Sequence, residues 1–236
     1  TWCCASRWAC VRVTCWTAAP AEVALHGALL ILAAPFAAVR PMLLARNSIG
    51  PSLCPQGAVV AIGAFDGVHR GHQALLRQLR ARAGAMGLAA VVVCFEPLPR
   101  QYFRRAPVLR LSSFRERFER VRAQGIDRML CLRFDARLSA MDAETFIEQV
   151  LLGRLDAREV WVGPGFRFGR GRDGDLELLE AAGRRHGFTA RAIAGLVEGG
   201  ERISSSRIRE LLTGSGFDGA ERLLGRRFTW SGRVVR

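Results

Sequence analysis

Residues 63–72 read Gly63-Ala64-Phe65-Asp66-Gly67-Val68-His69-Arg70-Gly71-His72. The decapeptide follows an apolar run, Ala58-Val59-Val60-Ala61-Ile62, and precedes an amphipathic stretch, Ala74-Leu75-Leu76-Arg77-Gln78-Leu79-Arg80. That order predicts a strand, a tight glycine-bearing turn and a helix. His69 and His72 then lie one turn apart on one face of the helix N-terminus. Free backbone N–H groups and the positive end of the helix dipole gather at that end, a setting that attracts phosphate. The chain has only four histidines, and two of them bracket a glycine at this turn. They read as a phosphate grip rather than as ordinary loop histidines.

Outward from this turn the pattern alternates. Apolar strand-like runs occur at 58–63, 88–95, 127–134 and 158–163, with a weaker one at 188–194. Helix-like segments lie between them at 71–85, 112–124, 142–152, 175–187 and 204–213, with Ser112 and Asp142 as expected N-caps. Such alternation predicts an α/β domain, a parallel sheet with helices on both faces. Ligands of such sheets bind beyond the carboxyl ends of the strands. Residues 63–72 fall on that rim, as do the loops that begin at Glu96 and Gly163. No lysine exists to complete a P-loop, and no Gly-x-Gly-x-x-Gly turn follows the first strand. Phosphate binding must therefore rest on histidine, arginine, serine hydroxyls and backbone N–H groups.

The 236 residues are half apolar and 24% charged, a globular composition. All 35 basic residues are arginine, and the formal charge is +14. The arginines are spread along helices without a basic tract interleaved with aromatics. Weak attraction to polyanions is expected, but no specific nucleic-acid partner. Of seven cysteines, Cys94 and Cys131 fall inside apolar strand patterns, and no pair has zinc-ligand spacing with matching histidines. Free thiols in a reducing, cytoplasmic setting are expected.

Residues 1–56 read differently. The chain opens on Thr1, and Trp2, Trp8 and Trp16 with four cysteines form no helical or alternating pattern. An apolar run of thirteen residues at 27–39, broken by Pro35, is too short to span a bilayer. An irregular, poorly ordered leader is expected, with a signal peptide as the alternative reading.

Three further stretches carry chemistry. In Glu201-Arg202-Ile203-Ser204-Ser205-Ser206-Arg207-Ile208-Arg209, serines open a helix among arginines, which makes an anion site of hydroxyls, N–H groups and guanidinium forks. Phe95-Glu96-Pro97-Leu98-Pro99-Arg100-Gln101-Tyr102-Phe103 is a proline-stiffened loop presenting aromatics. Val162-Gly163-Pro164-Gly165-Phe166-Arg167-Phe168-Gly169 is a glycine-rich loop with two phenylalanines. Rings of this kind can stack on a flat ligand for about 0.5–1.5 kcal/mol each.

The four motifs, in this order over residues 57 to about 225, resemble the adenylyltransferase module of the bacterial bifunctional riboflavin kinase/FAD synthetases. The resemblance implies a Rossmann-like nucleotidyltransferase fold. It also implies transfer of the adenylyl group of ATP to FMN with magnesium, giving FAD and pyrophosphate without a covalent enzyme intermediate. In that reading His69, His72, Ser205 and Arg209 are catalytic. Gly63, Phe65, Asp66, His69, Gly71, His72, Arg202, Ser204, Ser205, Ser206 and Arg209 bind ATP. Pro97, Pro99, Phe103, Phe166 and Phe168 border the flavin. Two positions depart from the family pattern: Leu98 replaces a histidine, and Gly165 replaces an asparagine or aspartate. No metal ligand is assigned, and Asp173 or Asp175 could compensate at Gly165. Residues 226–236 look like the opening strand of the family's β-barrel kinase, so a truncated barrel is expected there. Small-molecule substrates and no membrane are the expected partners. Another nucleotidyltransferase of this fold, or a non-catalytic ATP/flavin-binding module, are the competing readings.

Overall fold

The computed structural model describes residues 41–46, 49–103 and 108–229. In chain order these form β1 (Leu43–Ala45), β2 (Ala58–Ile62), α1 (Arg70–Met86), β3 (Ala89–Glu96), α2 (Pro99–Phe103), α3 (Phe114–Arg122) and β4 (Arg128–Arg133). Next come α4 (Ala136–Ser139) and α5 (Ala143–Phe146), which continues into wide π-type turns over Ile147–Arg154. After β5 (Ala157–Val162) come a 3₁₀ turn (Arg170–Arg172), α6 (Leu176–His186) and β6 (Thr189–Ala192). A small hairpin of β7 (Val197–Glu198) and β8 (Glu201–Arg202) leads to α7 (Ser205–Thr213) and α8 (Phe217–Leu224).

Six strands make one sheet in the order β1-β4-β3-β2-β5-β6, every pairing parallel. Val60 of β2 lies beside Val91 of β3 and Val160 of β5. The chain steps outward from β2 through β3 to β4, then returns to β2's other side at β5. A sheet with such a reversal opens a crevice at the carboxyl ends of the central strands.

Both faces of the sheet are covered, so the central strands are apolar without alternation. Val60, Val91, Val93, Leu130 and Val160 pack on one face under Ile147, Val150, Leu151 and Leu179. Val59, Ala61, Val92, Met129 and Trp161 pack on the other under Leu76, Leu79, Ala83 and Val121. A smaller cluster of Leu111, Ile208, Leu212, Ala220 and Leu224 seals α7 and α8 together. Cys54, Cys94 and Cys131 are buried free thiols, as their apolar setting implies.

The five expected strands and five expected helices all form, with ends shifted by a residue or two. Three readings need correction. The sheet begins before residue 57, because Leu43 and Leu44 pair with Arg128 and Met129 of β4. A three-residue edge strand is too short to show a period. Residues 1–40 and 47–48, the rest of the expected leader's uncertain part, lie outside the described residues. The N-cap of α3 is Ser113 rather than Ser112: Ser113 forms a reciprocal capping box with Glu116, while the Ser112 hydroxyl is engaged elsewhere. At the other end, residues 226–229 are not strand, and 230–236 lie outside the described residues. Asp142 caps α5 as expected, accepting from the Thr145 amide. Among the described residues no helix is long and apolar enough to cross a membrane.

Candidate functional site

Beyond Ile62 the chain reverses through a turn in which two non-glycine residues, Phe65 (φ 49°) and Val68 (φ 42°), adopt left-handed backbone. Such conformations persist only where the surroundings over-determine them. Here they do. The Asp66 carboxylate accepts from the Leu111 and Ser112 amides at 3.1 Å and from the Ser112 hydroxyl at 3.2 Å. Arg209 Nη2 closes on its other oxygen at 2.5 Å. Ser205 Oγ donates to the Asp66 carbonyl at 3.0 Å, and the Gly67 amide donates to Ser112 Oγ at 3.0 Å. Arg226 Nη2 donates to the Gly67 carbonyl at 2.6 Å.

Three of the expected site residues are engaged within the fold. Asp66 is buried, and its carboxylate is directed at residues 111–112 and Arg209. Arg209 spends its guanidinium on Asp66 and, through Nε at 2.7 Å, on the Leu109 carbonyl. Ser205 spends its hydroxyl on the turn. All three hold α7 against the histidine turn.

His69 is the N-cap of α1, its Nδ1 accepting from the His72 amide at 3.3 Å. The two imidazoles stack with centroids 3.7 Å apart and 17° between planes, and the buried Phe65 ring stands 5.1 Å from His72. Gly71 packs closely here: a Cβ would stand 3.2 Å from His69 Nδ1, so the imidazole would have to give by a few tenths of an ångström. Burial, then Arg202, Arg226 and Arg209, push the His69 imidazole down to about 4. Enclosure, then His69 and Arg202, push His72 well below its ordinary value. Both rings are therefore neutral near pH 7, inside a positive field. His72 Nδ1 has no hydrogen-bond partner among the described residues.

Ser204 caps α7, accepting from the Arg207 amide at 3.2 Å. Ser206 Oγ accepts from Arg100 Nη1 at 3.2 Å. Arg202, exposed on β8, lies across Gly195, where a Cβ would come within 2.6 Å of its Nε. The fold thus brings the amino ends of α1 and α7 together, with His69, Gly71, His72 and Arg202 between them.

Beside this double helix start lies a cavity of about 810 Å³, whose lining includes Gly63, Ala64 and Phe95 at the strand tips. Of the residues expected to border the flavin, Pro99, Phe103, Phe166 and Phe168 line this cavity and Pro97 does not. Phe103 is two-thirds exposed, but Phe168 is largely core: it stacks on Phe166 at 5.5 Å and leans on Phe146 at 5.6 Å. Phe134, unsuspected from sequence, completes the wall at 5.5 Å from Phe103 and 5.3 Å from Tyr102. Its position directly after β4 was the available signal. Leu98, at the family's histidine position, is buried in the fold.

The helix over 112–124 was expected, but the contacts its start makes with Asp66 and Glu96 were not. Arg110 reaches Glu96 at 2.8 Å, Leu111 and Ser112 bind Asp66, and Ser113 starts α3. Arg117, one turn on, is fully buried. The Ser-x-x-Glu spacing at 113–116 was the readable clue to that helix start.

No group of three or more His, Cys, Asp or Glu side chains suited to a metal exists among the described residues. Asp175 caps α6 and pairs with Arg167 at 3.0 Å. The residues present do not build a magnesium cage. A magnesium ion carried on a triphosphate needs none, since it is held largely by phosphate oxygens and water.

The family model described as FAD synthetase matches residues 52–207. The bifunctional riboflavin kinase/FMN adenylyltransferase of Pseudomonas fluorescens is 42% identical over 180 residues, covering 76% of this chain and 58% of its own length. The protein of the same name from Escherichia coli K12 is 43% identical over 197 residues, covering 82% of this chain and 63% of its own. The chain therefore spans less than two thirds of these curated relatives. A solved structure titled as a macrolide-efflux protein from Streptococcus pneumoniae superposes with a TM-score of 0.68 at 24% identity, over 79% of this chain and 60% of that one, a likeness of fold alone. Because the family match runs from the sheet's central strand into the first turn of α7, the chain belongs to the FAD synthetase family.

Proposed function

We propose that this chain transfers the adenylyl group of ATP to FMN. One observation carries the reading. A pair of helix N-termini bearing neutral histidines adjoins an aromatic-walled cavity, and the two share the tip of β2 and the Arg100–Ser206 bond. The first suits a triphosphate and the second a flat ring.

The FMN phosphate oxygen forms a bond to the α-phosphorus of ATP, while the bond from that phosphorus to the bridging oxygen breaks and pyrophosphate leaves. The protein's part is positioning and charge stabilisation. His69 and His72, neutral, serve as hydrogen-bond partners of the phosphates rather than as fixed charges. The free amides of α1 and α7 and the Arg202 guanidinium supply positive potential. Pro99, Phe103, Phe134 and Phe166 border the flavin. ATP enters as its magnesium complex. Asp66, Ser205 and Arg209 act indirectly, by holding α7 on the histidine turn. Buried free thiols support a reducing, cytoplasmic setting. Riboflavin kinase activity, which the relatives' names include, is not proposed for the described residues.

Incubation with ATP, magnesium and FMN, followed by chromatography for FAD, tests the proposal. FAD formation supports it. Product only with another phosphate acceptor points to a different nucleotidyltransferase of this fold, and binding of ATP and FMN without turnover points to a non-catalytic module.

A further inference from the structure

Arg117 heads the largest fully buried side chains of the described residues, with 1% of its side chain exposed. Its Nη1 donates to the Ala64 carbonyl at 3.1 Å. Its Nη2 donates to the Phe95 carbonyl at 3.2 Å and to Glu96 Oε2 at 2.5 Å. Ala64 is the second residue beyond β2, while Phe95 and Glu96 end β3. Both Ala64 and Phe95 line the cavity. One guanidinium therefore ties together, from below, the two strand tips that form the cavity floor, and the loop carrying Pro99 and Phe103 departs from its anchor at Glu96.

As packing alone this is a poor solution. Burying a cation carries a desolvation cost that a hydrophobic residue of similar volume avoids, often with equal or better stability. The cost is not fully offset here: Arg117 Nε has no acceptor among the described residues, and the Glu96 carboxylate is shared with Arg110. What the guanidinium does supply is a planar fork reaching three acceptors on two strands at once, which neither an apolar residue nor an ammonium reproduces. Its placement is also fixed from outside the cavity. The Ser113–Glu116 capping box sets the start of α3, and the guanidinium lies 5.6 Å from the Phe114 ring.

We propose that Arg117 is a positioning residue for the acceptor side of the site: it fixes Ala64 and Phe95 so that the aromatic cavity is open to the flavin before ligand arrives. This rests on the proposed adenylyl transfer to FMN and adds to it a residue that touches neither substrate. Because two of its three bonds end on cavity residues, and none reaches His69, His72 or α7, it acts on one substrate more than on the other.

The test compares Arg117→Met, Arg117→Lys, the charge-balanced double variant Glu96→Gln/Arg117→Met, and Arg122→Gln as an exposed control on the same helix. For each, FMN and ATP dissociation constants are measured separately by titration, with amide hydrogen exchange of the free protein. In Arg117→Met, or in the double variant if the single one does not fold, FMN binding weakens by about tenfold or more. ATP binding changes by less than about threefold, and Arg117→Lys recovers part of the FMN loss. Exchange at 95–103 rises by on the order of tenfold in the same variants, with β5 and α6 unchanged. A folded variant with normal FMN affinity overturns the inference. So does an equal fall in both affinities that tracks the folded fraction, with lysine no better than methionine. If the unaltered chain binds no FMN, the proposed function has failed, and the exchange measurement alone then decides whether Arg117 orders the loop.

Discussion

Arg209 of α7 and Asp66 of the histidine turn meet at 2.5 Å across 143 residues of sequence, with both side chains largely withdrawn from solvent. Removing one member of a buried pair strands the other's charge, typically at 3–5 kcal/mol. Arg209→Ala should therefore destabilise the protein by about 3 kcal/mol, even though Asp66 keeps its bonds from Leu111 and Ser112. Asp66→Asn/Arg209→Met, with no net charge to bury, should recover part of that loss. Urea unfolding of the unaltered chain, Asp66→Asn, Arg209→Met and the double variant gives the coupling directly. Strict additivity of the two single changes would show that the pair does not act as one unit.

The histidines predict a pH dependence. His69 titrates near 6.5 when unfolded and near about 4 in the fold, and His72 is shifted in the same direction. Between those values the unfolded chain binds protons that the native chain does not, so stability is lost as pH falls from about 6.5 towards 4 and is level above 6.5. Each histidine contributes a slope of up to about 1.4 kcal/mol per pH unit. Denaturation midpoints at pH 7.5, 6 and 5 should show it, and His69→Gln should make the profile shallower.

A polyanion reverses part of this depression. Triphosphate bound between α1 and α7 favours imidazolium and raises both affinities for protons. At pH 5.5, ATP binding should therefore take up protons, read by calorimetry in buffers of different ionisation enthalpy. Buffer-independent heats would mean that the triphosphate does not approach these rings.

The aromatic wall separates binding from stability. Phe103→Ala removes a ring that is two-thirds exposed, so it should weaken FMN binding while changing stability by less than about 0.5 kcal/mol. Phe168→Ala should cost about 3–5 kcal/mol, because that ring is buried against Phe146 and Phe166. Thermal melts beside flavin titrations distinguish the two.

Gly165 has φ 70° with nothing within 4 Å of where a Cβ would stand. Asparagine tolerates that backbone and a β-branched residue does not. Gly165→Asn should leave stability within about 0.5 kcal/mol, whereas Gly165→Val should cost about 1–2 kcal/mol. Comparing the two melts tests the backbone argument independently of any ligand.

What the sequence made legible was local. The strand–turn–helix at 58–80 and the serine start of α7 declare themselves through contiguous apolar runs and capping residues. The β1 strand did not, because three residues carry no period. The structural partners of Asp66 are not legible locally: its sequence neighbours are His69 and Gly71, while Leu111, Ser112 and Arg209 are long-range. Arg117 was missed for a similar reason: among 35 basic residues, nothing local marks the one that packing encloses.

The tip of β2 has a consequence for how this protein can be dissected. Gly63 and Ala64 face the cavity, while Phe65, one residue later, backs the stacked imidazoles. Three adjacent residues are thus a common wall between two rooms. A Cβ added at Gly63 would stand 3.1 Å from the Phe65 ring, so a substitution at Gly63 or Phe65 should disturb occupancy of both at once, and its kinetics would mimic a loss of cooperation between substrates. Changes at Phe103 or Arg202, each on one side of that wall only, are where the separate contributions of acceptor and donor can be measured.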